Sequence, residues 1–116
     1  MKKVPAKTSN AAKVAKMGIF VDNRVSLDPV PLIKGKKAVV RYKGLLASSG
    51  ADQVYLYGGY GENEWKDTTD LPMSHDGHAW TVELPIVGEE KFNFCFHDSA
   101  QNWDNNSGLN WASEIL

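Results

Sequence analysis

An all-β fold, an Ig-like antiparallel β-sandwich with a flexible basic N-terminal arm, is what this sequence predicts. Three observations carry that reading. Short runs of alternating apolar and polar residues recur from Lys36 onward, residues that favour turns separate them, and no long stretch shows helical periodicity. With 116 residues the chain suits one domain. The arm and linker are placed at residues 1–30 and the sandwich at residues 31–116.

Taken in order, Met1 to about Asp22 is rich in lysine and alanine. Ser9 could cap a short helix over Asn10 to Met17, but one turn of apolar residues gives such a helix little to bury. Val25 to Pro31, punctuated by Pro29 and Pro31, reads as an extended linker or edge segment. Lys37 to Lys43 is β-branched and aromatic and stops at Gly44. Leu45 to Ala51 reads as a loop or a single helical turn. In Asp52 to Gly58, Val54 and Leu56 face one way and Tyr55 and Tyr57 the other. Trp65 to Met73 is polar and contains Pro72, as a short edge strand or meander would. Gly77 to Ile86 sets Trp80, Val82 and Leu84 on one face, which assigns Trp80 to the core. Lys91 to Asp98 alternates most clearly, with Phe92, Phe94 and Phe96 on the apolar face and Asn93, Cys95 and His97 behind. Asn110 to Ile115 closes the sheet, and Trp111 within it is expected to be structural.

The near-neutral net charge conceals an asymmetry. Residues 1–43 carry eleven basic and two acidic side chains, and residues 44–116 carry two basic and twelve acidic ones. A basic arm of this kind either binds phosphate-rich partners or lies loosely on its own acidic domain. Phe20 is the one aromatic residue in the arm, so the lysines have almost no aromatic interleaving, which favours the second. One cysteine excludes an intrachain disulfide and a multi-cysteine metal site. No apolar run of signal-peptide or membrane-spanning length is present, so a cytoplasmic protein with no membrane partner is the simplest expectation.

Two segments pair a tryptophan with amides, carboxylates and glycine: Gly58-Gly59-Tyr60-Gly61-Glu62-Asn63-Glu64-Trp65 and Trp103-Asp104-Asn105-Asn106-Ser107-Gly108. A flat aromatic ring covers the C–H face of a sugar, and amides donate to and accept from its hydroxyls. Such segments read as a sugar-binding surface. Asp104 and Ser107 also suit a plain turn. The signs of catalysis are weak. Cys95 and His97 share a strand face but have no glycine-rich elbow or oxyanion donor beside them, so they read as wall residues. Asp98 and Asp104 would need an enclosed cleft to act as a glycosidase pair. His75 and His78 lack a third ligand, and neither a metal nor a cofactor is expected.

These segments, with Val54-Tyr55-Leu56-Tyr57-Gly58-Gly59-Tyr60-Gly61, Met73, Trp80 and Phe92-Asn93-Phe94-Cys95-Phe96, resemble the starch-binding carbohydrate-binding modules of family 25. The resemblance runs from Val39 to Trp111 and leaves the basic arm unexplained. It implies a non-catalytic module that binds α-1,4-glucans, namely starch, glycogen or malto-oligosaccharides. It also implies that Trp65 and Trp103 stack on glucose rings and that Asn105 and Asn106 hold hydroxyls. The family's platform histidine falls on Tyr57, a departure that keeps a flat ring but changes its hydrogen bonding. Glycogen is the preferred polysaccharide if the protein is cytoplasmic, and no nucleic-acid partner is expected. The alternative is a basic-arm module for polyanions or protein docking whose sandwich no longer serves sugar; docking onto a separately encoded glucan-metabolising enzyme is a further reading.

Overall fold

Alternation in the sequence becomes two antiparallel sheets in the computed structural model, which describes residues 22–116. The first sheet contains β1 (Val25–Asp28), β2 (Lys37–Tyr42), β5 (Ser74–His75) and β6 (Trp80–Pro85), in the order β1-β2-β6-β5. The second is built on β3 (Val54–Tyr60), β4 (Lys66–Pro72) and β7 (Lys91–Asp98), in the order β4-β3-β7. Along its far edge β7 pairs with β8 (Trp103–Asp104) through Phe96 and His97, and with β9 (Trp111–Glu114) through Lys91 to Phe94. A single helical turn, α1 (Leu45–Ser48), joins β2 to β3.

Period-two burial explains why these segments are strands. In β2 Ala38, Val40 and Tyr42 point inward, while Lys37, Val39 and Arg41 point out. In β7 Phe92, Phe94 and Phe96 are fully buried; Phe92 stacks on Phe94, and Phe94 meets Phe96 edge-on. Across the interior the Tyr42 ring stacks on Phe96 at 4.1 Å, and Trp111 packs edge-on against Phe96. Trp80, Leu84, Val54, Leu56, Met73 and Leu32 complete the layer between the sheets. Trp80 and Trp111 are thus core residues, as expected. Burial of aromatics of this size is the main driving force for the fold, roughly 1.5–3 kcal/mol for each large apolar side chain.

Two differences from the sequence reading matter. Val25–Asp28 pairs residue by residue with Val39–Tyr42, so the sandwich begins upstream of residue 31 with an edge strand whose Val25 and Leu27 are buried. The prolines, Pro29 and Pro31, sit just beyond that strand, where no ladder donor is needed. The two-residue strands β5 and β8 were not expected, because a strand of two residues has too little alternation to recognise. The anticipated helix at 10–17 and most of the basic arm lie outside the described residues.

Candidate functional site

The register of the second sheet assembles an aromatic surface on its outer face. Tyr55 pairs with His97 and Tyr57 with Cys95, and on the other side of β7 His97 pairs with Trp103. Since alternate residues share a face, Tyr55, Tyr57, His97 and Trp103 all project away from the core. The Tyr57 ring lies 5.8 Å from Trp65 at 23° and 5.7 Å from Trp103 at 87°. Trp103 packs at 4.5 Å on His97, and His97 stacks at 4.8 Å and 6° on Tyr55. Five rings therefore form one continuous surface, with Tyr57 between the two tryptophans. Trp103 is 46% exposed, an unusual state for so large an apolar ring.

Trp65 reaches this surface although it precedes the edge strand β4. Its backbone crosses directly over Gly59, where a Cβ would fall 2.8 Å from Trp65 Cα and 2.9 Å from its carbonyl carbon. A register shift between Gly58 and Tyr60 makes room for the crossing. Asn93, on the same outer face, donates from Nδ2 to the carbonyls of Gly61 at 2.9 Å and Glu64 at 3.1 Å and so holds the loop that delivers Trp65. Gly59→Ala should displace Trp65, because the obstruction is backbone rather than a yielding side-chain tip. We expect a stability loss of about 1 kcal/mol in a denaturant titration, together with a several-fold loss of glucan affinity. Unchanged affinity would show that Trp65 does not need this seat.

Trp103 is held from below. Asp104, the next residue, points inward and is 6% exposed. Its Oδ2 accepts from the Tyr42 hydroxyl at 2.6 Å and from the Leu45 amide at 3.2 Å, and its Oδ1 from the Asn106 amide at 3.3 Å. Burial, then this hydrogen bond, pushes the Tyr42 phenol far above its ordinary range, so it stays a donor. The loop that follows turns sharply, with positive φ at Asn106, Ser107, Gly108 and Asn110. Asn and Gly tolerate that region best, which accounts for much of the polar composition that read as ligand-facing.

The two asparagines part company here. Asn105 is exposed; its Oδ1 accepts from the Gly108 amide at 3.0 Å, and among the described residues its NH2 group has no partner. Asn106 departs from the expectation of a hydroxyl contact. It is 8% exposed, its Nδ2 donates to the Asn110 carbonyl at 3.1 Å, and its Oδ1 accepts from Arg24 at 2.8 Å. Arg24 in turn donates to Asp22 at 2.7 Å and lies over the Trp111 ring, and the Trp111 indole donates to Asp22 at 3.2 Å. Burial acts to raise the Asp22 carboxyl, but these hydrogen bonds prevail and hold it below its ordinary value.

Cys95 lies beneath the aromatic rings, 5% exposed, and burial pushes its thiol up to about 12, with Asp104 and Asp70 adding to the effect. A thiol kept protonated is a poor nucleophile, which agrees with reading Cys95 as a wall residue. Ellman's reagent at pH 8 should therefore leave Cys95 unmodified in the folded protein and react with it once the chain is unfolded. Rapid modification of the native protein would contradict this burial.

Sequence reasoning placed Tyr57, Trp65 and Trp103, and all three meet on one surface. It missed Tyr55, His97 and Asn93 as parts of that surface. Alternation alone put each on an outward face, but which outward residues become neighbours depends on cross-strand register, and that is not visible in the strands themselves.

Residues 38–94 match the description of a starch/carbohydrate-binding module, family 53. The match supports the class expected from the sequence, a starch-binding carbohydrate-binding module, with family 53 rather than family 25 as the one matched. It covers Tyr57 and Trp65 and ends before Trp103. Comparison with curated proteins and with solved structures gave no match.

Proposed function

We propose that the outer face of the second sheet binds α-1,4-glucans without catalysis, Trp65 and Trp103 stacking on sugar rings while Tyr57 bridges them and Asn105 engages a hydroxyl. The observation that carries this reading is the geometry of the three rings. Trp65 and Trp103 lie 23° and 87° from the Tyr57 plane, so their own planes differ by at least 64°, the difference between the two. Two rings set so steeply suit the curved ribbon of an α-1,4-linked chain, whereas a flat β-1,4 chain calls for coplanar rings. The match to a starch-binding module supports the same ligand class.

Nothing in this arrangement asks for a reacting group. The surface is open, the thiol beneath it is held protonated, and the module class matched is a binding one. Affinity should be modest, since an open platform strips water from only part of each sugar and association itself is costly. Glu62, Glu64, Asp67 and Asp70 on and around the Trp65 loop and β4 would repel a phosphate backbone, so polyanions are poor candidates for this face. A cytoplasmic glycogen ligand and a docked glucan-metabolising enzyme remain parts of the proposal that rest on the sequence alone.

A titration of intrinsic tryptophan fluorescence with maltoheptaose, beside cellohexaose and at low and high salt, tests the proposal. Saturable and salt-insensitive binding of maltoheptaose alone is the expected result, because stacking and neutral hydrogen bonds release few counterions. Equal response to both sugars would sink the α-glucan assignment, and steep salt dependence would point to charge instead.

A further inference from the structure

The ring beside Trp103 carries an unusual demand for protons. His97 is 6% exposed, and its Nδ1 lies 3.0 Å from the carbonyl oxygen of Asp98 while its Nε2 lies 2.9 Å from Oδ1 of Asp70. Both neighbours are acceptors, the carbonyl always and the carboxylate whenever it is ionised. A neutral imidazole has one N–H and can satisfy only one of them; the imidazolium donates to both. Asp70 reaches His97 across β3: it stands opposite Tyr57 in β4, whereas His97 stands opposite Tyr55. The ring is meanwhile clasped between Tyr55 and Trp103.

We infer that Asp70 and a doubly protonated His97 form a positioning pair that holds the Trp103 indole at its stacking angle, so that glucan affinity falls as the pH rises and His97 gives up a proton. This rests on the glucan-binding reading of the same surface. The groups facing His97 are few. Asp70 comes from β4, Tyr55 from β3 and Trp103 from β8, while Cys95 and Asp98 lie on its own strand. The Asp98 carboxyl is held below its ordinary range by hydrogen bonds from the side chain and amide of Asn102 and from the amide of Ala100, and His97 itself contributes. It therefore remains an anion beside the ring. Cys95 is neutral because burial raises its thiol. No lysine or arginine forms an ion pair with either member of the pair among the described residues. Neither His97 nor Asp70 need touch sugar; both act through Trp103.

The sign follows from the proton count. At low pH the pair is complete and Trp103 is held. Loss of either ring proton sets a nitrogen lone pair against an acceptor, the Asp98 carbonyl oxygen or the Asp70 carboxylate, and the clasp on the indole loosens. For a pair with one buried and one half-exposed member the change should be roughly two- to fivefold in affinity.

The test is maltoheptaose affinity of the full chain, measured by calorimetry between about pH 5 and about pH 8, where imidazole titrates, for the unaltered protein and for Asp70→Asn. An asparagine can turn its NH2 toward a neutral His97 or its oxygen toward a charged one, so the variant should bind glucan with a flat pH profile and an unchanged fold. Thermal melts at each pH report the fold independently. The unaltered protein should weaken roughly two- to fivefold across the range. A flat profile for the unaltered protein, or a slope that survives in Asp70→Asn, would overturn the positioning role while leaving glucan binding in place. No binding at any pH would remove the glucan reading and this inference together. As a second variant, His97→Phe keeps an aromatic ring in the clasp and removes both nitrogens; it should bind weakly and without pH dependence.

Discussion

Truncating Trp103 to alanine should weaken maltoheptaose binding by roughly 10- to 100-fold, about 1.4–2.8 kcal/mol, and Trp65→Ala should do the same. The expectation follows from how little else the surface offers. A sugar ring meets an aromatic face on one side and water on the other, so each lost indole removes most of the apolar contact at its position. Stability should separate the two variants from a general loss of structure. Trp103 is 46% exposed and sits at the edge of the sheet, so its removal opens no internal cavity. Trp65 is half-buried, lying over Gly59 and against Tyr57, and its loss should cost somewhat more. Calorimetry beside thermal denaturation checks both. Variants that melt with the parent protein and bind as tightly would place the ligand elsewhere. Trp111→Ala provides the contrast: with a fully buried side chain in the core it should lose about 3–5 kcal/mol of stability.

Asp104→Ala should destabilise the fold by about 3 kcal/mol, since hydrogen bonds to a charged acceptor contribute more than neutral ones and their donors would be stranded. The carboxylate ties the end of β2 and the turn after it to the loop that follows Trp103. Tyr42 ends β2, Leu45 opens the helical turn and Asn106 begins the loop after Trp103. The Tyr42 hydroxyl is the most exposed to the loss, because it donates to Asp104 and accepts from the Leu46 amide in a buried position. Urea unfolding measures the effect directly. The same variant should also lose glucan affinity at temperatures where it remains folded, because the residue that fixes the backbone under Trp103 is gone. A loss below 1 kcal/mol would mean that water replaces the carboxylate at small cost.

The sandwich was legible because its strands alternate. Phe92, Phe94 and Phe96 announce a buried face, and Val54 and Leu56 against Tyr55 and Tyr57 announce a two-faced strand. The short strands β5 and β8 were illegible for want of length. At the site, Trp65 and Trp103 stood out because polar residues surround them. Asn106 was misread for an instructive reason: an asparagine beside an exposed tryptophan looks the same whether its amide serves a ligand or supports a left-handed turn. Asp104 suited a plain turn by its residue type, but its bond to Tyr42 spans sixty-two positions and leaves no trace in the local sequence. Arg24 and Asp22, eighty or more residues from the loop they brace, were hidden for the same reason.

The most direct test observes the four tryptophan indole N–H groups by nitrogen-15 NMR while maltoheptaose is added. Trp65 and Trp103 should shift together and saturate at one affinity. Trp80 and Trp111, enclosed between the sheets, should stay where they are. If the sugar leaves the Trp65 and Trp103 signals unmoved, or shifts all four alike through a general change of structure, the outer face of the second sheet is not the glucan-binding surface.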